Sequence, residues 1–276
     1  MKTNVLSGSN RLSVSSYSVK TCLSAGIGLF LAAAAPALMA TNYFFDNFDS
    51  GVSGSTWAAV AGANTFVLDG DNAHTFGGSA GSAKQVNADP FIYYMRAING
   101  WSAGTVQPGQ AIVADVKFWD DATPFNGTQP LGGGLMLASD NSLTDFYQLL
   151  VNSGTAIGGN ATDYLIRSKA NGNVDSHVVR SQGWHDFAIE VLPYTGLNDV
   201  QYYIDGNLVG TLNRENGDLA MTELRLGLSV KTPGSPFWYD NVSVDTVVIP
   251  EPASLALVTL GGLALLLPRR TAHRRA

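Results

Sequence analysis

The chain has 276 residues, of which 45% are hydrophobic and 14% charged, and its formal net charge is −6. Most of its cationic surplus lies at the two ends: only nine Lys and Arg fall between positions 41 and 246, against 21 Asp and Glu, so that stretch carries −12. A surface of that sign repels a phosphate backbone, whose binding needs clustered Lys and Arg, and nucleic acid is a poor partner for it.

Lys2, Arg11 and Lys20 precede an apolar stretch from Cys22 to Leu38 that ends in small residues, the pattern of a secretory signal. Residues 1–40 are read as that signal, with strand-like sequence starting directly after Ala40. Ala35-Pro36-Ala37 offers an alternative cleavage point after Ala37, and an uncleaved anchor is a third reading. Cys22 is the only cysteine and lies inside this segment. The chain beyond it therefore has no thiol, no disulfide and no cysteine metal site, and must be held by its core.

Residues 41–246 suit one sizeable domain rather than two. Ile112, Ala114, Val116 and Phe118 alternate with Val113, Asp115, Lys117 and Trp119, the period of a strand with one apolar face. Phe187, Ile189 and Val191 make a second row. Val200, Tyr202 and Ile204 lead into Asp205-Gly206, a pair that supplies the positive φ angles of a tight turn, and Leu208 to Leu212 return. Leu224, Leu226, Leu228 and Val230 oppose Arg225, Gly227, Ser229 and Lys231. Helical spacing is nearly absent, and short strands separated by Gly, Asn and Asp clusters predict an all-β, antiparallel two-sheet sandwich.

The end of the chain has its own composition. Pro250-Glu251-Pro252 is followed by an apolar run, Ala253 to Leu267, then by Arg269, Arg270, Arg274 and Arg275. A helix over about 253–267 is slightly short of the roughly 20 residues that cross a bilayer, and arginines resist translocation, so the basic tail 269–276 is expected inside and the domain outside. Taken together, residues 247–276 closely resemble the PEP-CTERM sorting signal of Gram-negative bacteria. That resemblance implies recognition of Pro250, Glu251 and Pro252 by a membrane-embedded exosortase, with Arg269 and Arg270 in the basic cluster. It further implies removal of the helix and delivery of the domain across the inner membrane to the cell surface or an exopolysaccharide matrix. A plain tail anchor with a chance proline pair is the alternative.

A second resemblance spans most of the domain. Gly183-Trp184-His185-Asp186-Phe187, then Tyr202-Tyr203-Ile204-Asp205-Gly206-Asn207-Leu208-Val209-Gly210, are similar to the concanavalin A-like lectin/glucanase and laminin-G-like jelly rolls. The segment Phe237 to Val244 looks like their last strand and Asn42 to Asp49 like their first. These motifs are structural, and the fold is shared by lectins, hydrolases, lyases and inert spacers, so it does not settle function.

Asp240 falls in phase with Val242 and Val244, a face expected to pack on the core, and Asp46 falls in phase with Phe44 and Phe48. Buried carboxylates are costly unless paired, hydrogen-bonded or metal-bound. The first and last strands of the families resembled commonly meet, so Asp46 and Asp240, with Asp49, are candidates for a structural Ca²⁺; capping of backbone amides is the alternative. The Glu-x-Asp-x-Glu motif of retaining glucanases on this fold is absent, no Gly-x-Ser-x-Gly elbow is present, and His74, His177 and His185 show no metal-ligand spacing. Asp120-Asp121 reads as a turn, and Gly132-Gly133-Gly134 as the start of a strand.

Trp119, on a strand face with Asp115 and Lys117, is the candidate for stacking on a sugar ring while acids bond the hydroxyls, and Tyr93, Tyr94, Trp101 and Trp238 could join it. The expectation is an exported, non-enzymatic surface or matrix protein that binds polysaccharide, with Trp119 and Asp115 at the ligand. Two readings stand beside it: a carbohydrate-active hydrolase or lyase whose Asp residues meet only on folding, and an inert adhesin or spacer.

Overall fold

The computed structural model describes residues 41–52, 57–59, 66–85, 92–98, 108–124, 132–139, 143–153, 158–214, 221–228 and 237–249. The signal segment, Trp101 and the sorting tail with Pro250, Glu251, Pro252, Arg269 and Arg270 lie outside the described residues. Among those described there is no helix, and every strand pairing is antiparallel.

Two sheets form the domain. The first runs in the order β13 (Asn207–Leu212), β12 (Val200–Ile204), β11 (Gly183–Val191), β6 (Gln110–Asp120), β15 (Phe237–Val248), β4 (Ser82–Gln85) and β3 (Phe66–Asp69), and β1 (Asn42–Asp46) also pairs with β15. The second runs β10 (Gly172–Val179), β9 (Asn160–Ser168), β8 (Phe146–Asn152), β7 (Gly132–Ala138), β14 (Glu223–Leu228), β5 (Ile92–Ala97) and β2 (Ala58–Ala59).

The alternation read from the sequence sets the core. Val116, Phe118, Phe187 and Ile189 of the first sheet share one buried cluster with Leu135, Leu149, Leu224 and Leu226 of the second. Each such side chain contributes about 1.5–3 kcal/mol on leaving water. Gly133 is required where the two sheets approach closely, because a Cβ there would lie 2.4 Å from Cδ2 of Phe237. Asp205 and Gly206 both have positive φ, 52° and 75°, as the predicted turn between β12 and β13 demands.

One expectation about faces is corrected. Asp240 does not share a face with Val242 and Val244: β15 carries a bulge between Asp240, opposite Lys117, and Ser243, opposite Asp115, with Asn241 at a φ of 45°. The extra residue reverses the phase, so Asp240 points away from the core with Trp238 while Val242 and Val244 stay in it. The face opposite the core on the second sheet is no solvated face either, for β7 and β8 are buried along their whole length and Arg225 is buried with them.

Candidate functional site

Register builds the site on the outward face of the first sheet. Trp184 of β11 and Trp238 of β15 both pair with Trp119 of β6, so three tryptophans form one transverse row across neighbouring strands. Lys84 of β4 extends the row beyond Trp238. The next row is Asp186, Lys117 and Asp240, and the one after it Ala188, Asp115 and Ser243. Trp119 and Asp115 thus lie on the predicted face, and Trp238 joins them. Tyr93 and Tyr94 do not, since β5 belongs to the other sheet.

The segment between β3 and β4, residues 70–81, folds over the row and touches all three tryptophans. His74 stacks on Trp238 with ring centroids 3.8 Å apart and planes 9° apart, and meets Trp119 edge-on at 5.2 Å. Phe76 meets Trp184 edge-on at 5.6 Å, and Lys117 Nζ lies 5.5 Å from the Phe76 ring centre. Trp238 is buried, with its Nε1 donating to Asp69 at 2.8 Å. Trp119 and Trp184 remain half-buried, with centroids 5.7 Å apart, and the buried Nε1 of Trp119 has no acceptor.

Charge flanks the row. Lys117 Nζ is 2.6 Å from Asp186. Asp115 is pushed up to about 7, first by its burial and then by its hydrogen bond to the like-charged Asp186; Lys117 opposes the shift and Asp245 adds to it. Asp115 therefore keeps its proton well above the pH at which an ordinary aspartate releases it.

The three carboxylates considered for Ca²⁺ all accept hydrogen bonds. Asp46 accepts from the Phe48 amide at 2.9 Å and from Trp57 Nε1 at 2.8 Å. Asp240 accepts from the amides of Asn241 at 2.7 Å and Phe76 at 3.1 Å and from Ser79 Oγ at 2.6 Å. Asp49 accepts from the Ala80 amide and from Asn47 Nδ2. Asp49 and Asp240 together pin the 70–81 segment over the tryptophans. Among the described residues no three His, Cys, Asp or Glu side chains gather to hold a metal ion. With all six oxygens aimed at N–H and O–H donors, chelation in metal-free buffer is expected to leave the melting temperature unchanged; a rise on adding Ca²⁺ would contradict that role.

One arrangement has a nucleophile's connectivity. Ser181 Oγ lies 3.2 Å from His185 Nε2, and His185 Nδ1 lies 2.9 Å from Asp205 Oδ2. The Ser181 carbonyl, however, is nearer to Nε2, at 3.0 Å, and can only accept. With Nδ1 beside the Asp205 carboxylate and Nε2 beside both the hydroxyl and the carbonyl of Ser181, the imidazole ties the start of β11 to the β12–β13 turn.

Sequence reasoning missed a polar row on the second sheet. Arg225, Met136, Gln148, Arg167 and Asn173 align across β14, β7, β8, β9 and β10 on the face opposite the core. Gln148 is 1% exposed, and neither its amide nitrogen nor its amide oxygen has a hydrogen-bond partner. The available signal was a Gln and two Arg at period-two positions in otherwise apolar strands.

No family model matches the chain, and no curated protein matches it. Among solved structures, a carbohydrate esterase of the Shiga toxin-encoding bacteriophage phi24B is similar, with a TM-score of 0.50 and 14% identity, covering 76% of this chain and all of that one. Domain 4 of AbnA, an extracellular arabinanase from Geobacillus stearothermophilus solved with arabinotriose, has a TM-score of 0.45 and 12% identity over 76% of this chain and 94% of its own. A β-glucanase from Bacillus licheniformis has a TM-score of 0.42 and 14% identity over 73% and 96%. At these identities the likeness is one of fold.

Proposed function

We propose that the domain is a concanavalin A-like jelly roll that acts outside the cell as a non-enzymatic polysaccharide-binding surface or matrix protein. The observation that carries this reading is the in-register row of Trp184, Trp119 and Trp238, two of them half-exposed, beside the Asp186, Lys117 and Asp115 side chains. Aromatic faces stack on the C–H face of a sugar ring, and flanking charged groups bond its hydroxyls. The name of the phage protein of similar fold, a carbohydrate esterase, is in keeping with that ligand class.

The enzyme reading needs two carboxyl groups about 5–5.5 Å or about 6.5–9.5 Å apart across a bound sugar. Asp186 is instead paired with Lys117 at 2.6 Å, and Asp115 is pushed up to about 7 by burial and by its like-charged neighbour, an arrangement that suits holding hydroxyls better than acid–base work on a glycosidic bond. Export on the signal 1–40 and sorting by an exosortase at Pro250-Glu251-Pro252 belong to the same proposal.

Retention on immobilised exopolysaccharide tests the reading. Trp119→Ala and Trp184→Ala are each expected to weaken retention roughly tenfold, since a stacked aromatic contact is worth up to about 1.5 kcal/mol. Equal retention by folded variants would reject the row as the site. No retention by the parent on any polysaccharide would favour the inert spacer.

A further inference from the structure

We propose that the end of the first sheet from which the C-terminal apolar run departs rests against a phospholipid bilayer, with Leu197 and Tyr194 as its interfacial anchors. The inference deepens, and rests on, the reading of Ala253–Leu267 as a membrane segment.

The tether between fold and apolar run is very short. β15 is paired to its last residue, Val248 opposite Gln110, and the Ile249 amide still donates to the Gly109 carbonyl at 2.8 Å. Four residues further on, at Ala253, the apolar run begins. Fully extended, four residues span at most about 13–14 Å. The headgroup layer on one side of a bilayer takes up roughly 5–8 Å of that. Roughly 5–9 Å remains, too little for a stalk, so the end of the sandwich carrying Ile249 sits close to the headgroups.

That same end displays apolar side chains. Val191, Ile112 and Thr246 align across β11, β6 and β15, and Val200 of β12 aligns with Val191, so the 192–199 loop emerges at the end where β15 leaves the fold. β12 and β15 are three strand spacings apart, about 14 Å, a lateral distance comparable to the tether itself. Within the loop Tyr194 is 52% and Leu197 71% exposed, and Val248 beside the exit is 45% exposed.

The loop is built to present them. Buried Asp199 accepts from the amides of Thr195 at 2.9 Å and Gly196 at 2.7 Å, the Leu192 amide donates to the Asp199 carbonyl at 2.8 Å, and the Asn198 amide donates to Asn213 Oδ1 at 2.7 Å. Leucine at the tip of a loop so well organised gains nothing from the fold itself. From Leu192 to Asn198 the loop carries no charge, within a domain of net charge −12. Tyrosine is enriched where a membrane meets water, because its ring is apolar and its hydroxyl stays wet. β1 begins at this end as well, where the Thr246 amide donates to the Thr41 carbonyl at 2.8 Å, so a retained signal segment would tether the same end.

The test uses the full chain carrying Cys22→Ser, with a single thiol introduced by Leu197→Cys, by Tyr194→Cys or, at the opposite end of the β12–β13 hairpin, by Asn207→Cys. Each is labelled with a polarity-sensitive fluorophore and reconstituted into phosphatidylcholine vesicles containing headgroup spin-labelled phosphatidylcholine. Probes at 194 and 197 are expected to shift to the blue and to be quenched several-fold more than the probe at 207. Equal quenching at the two ends, in chains that float with the vesicles, would overturn the orientation while leaving the membrane segment standing. Failure of the chain to float would overturn the membrane reading and the orientation with it.

Discussion

Arg180→Ala is expected to destabilise the domain by about 3–5 kcal/mol, because it strands a buried carboxylate. Arg180 precedes β11 and reaches back to Asp120 at the end of β6, with Nε 2.7 Å from Oδ2 and Nη2 2.7 Å from Oδ1. Both side chains are almost wholly buried. The guanidinium also donates to the Ala161 carbonyl of β9 at 3.3 Å, so one cation links the end of β6 in the first sheet to β9 in the second. Without it Asp120 keeps the Ala122 amide, at 2.8 Å, as a donor but loses its counter-charge. For a domain of this size the loss corresponds to roughly 10 °C in melting temperature. The double variant Arg180→Met with Asp120→Leu should recover most of it, since burying neither charge avoids both desolvation costs. Urea unfolding of the three proteins checks this, and a single-variant loss below about 1 kcal/mol, the range of an exposed pair, would show the contact to be a surface pair in solution.

That pair shows where sequence reading stops. Asp120 was legible only as half of a turn beside Trp119, because nothing local says that position 180 will return to it. The rows of β6 and β11 were legible, since alternation is a property of neighbours in sequence. So was the Asp205-Gly206 turn, where the backbone angles are dictated by two residues. Asp240 was misassigned for a physical reason: a bulge is set by the partner strand's register, and one inserted residue inverts every later inference about facing. Arg225 and Gln148 illustrate a different limit, as period two identifies which residues oppose the core row but not whether that opposite face is covered. Trp119 was legible as a partly exposed aromatic, with Trp238 as one of several possible companions. That Trp184 and Trp238 stand level with it depends on pairing between strands more than 50 positions apart, which composition and spacing do not report.

Asp115→Asn is expected to abolish a loss of stability with rising pH. In the folded domain the Asp115 carboxyl titrates at about 7, above its ordinary 3.8, chiefly because it is buried and because Asp186 sits against it. The fold therefore holds a proton that the unfolded chain releases near pH 4. Stability contributed by that proton is fully present below pH 4, is lost between about pH 4 and pH 7, and levels off above. The bare shift of about three units would correspond to roughly 4 kcal/mol, but Asp115 is only partly buried and Lys117 offsets the repulsion, so roughly 1–2 kcal/mol is the expected size. An asparagine at 115 can still donate to Asp186 through its amide and carries no proton to lose. The parent should thus melt lower at pH 8 than at pH 4.5 by more than the variant does, and the variant should be the more stable of the two at pH 8. Lys117→Met should act in the opposite sense, steepening the parent's decline by removing a cation that opposes the upward shift of Asp115. Parallel pH profiles for parent and Asp115→Asn would mean that Asp115 is too well solvated to keep its proton, and the electrostatic account of the tryptophan row's flank would fall with it.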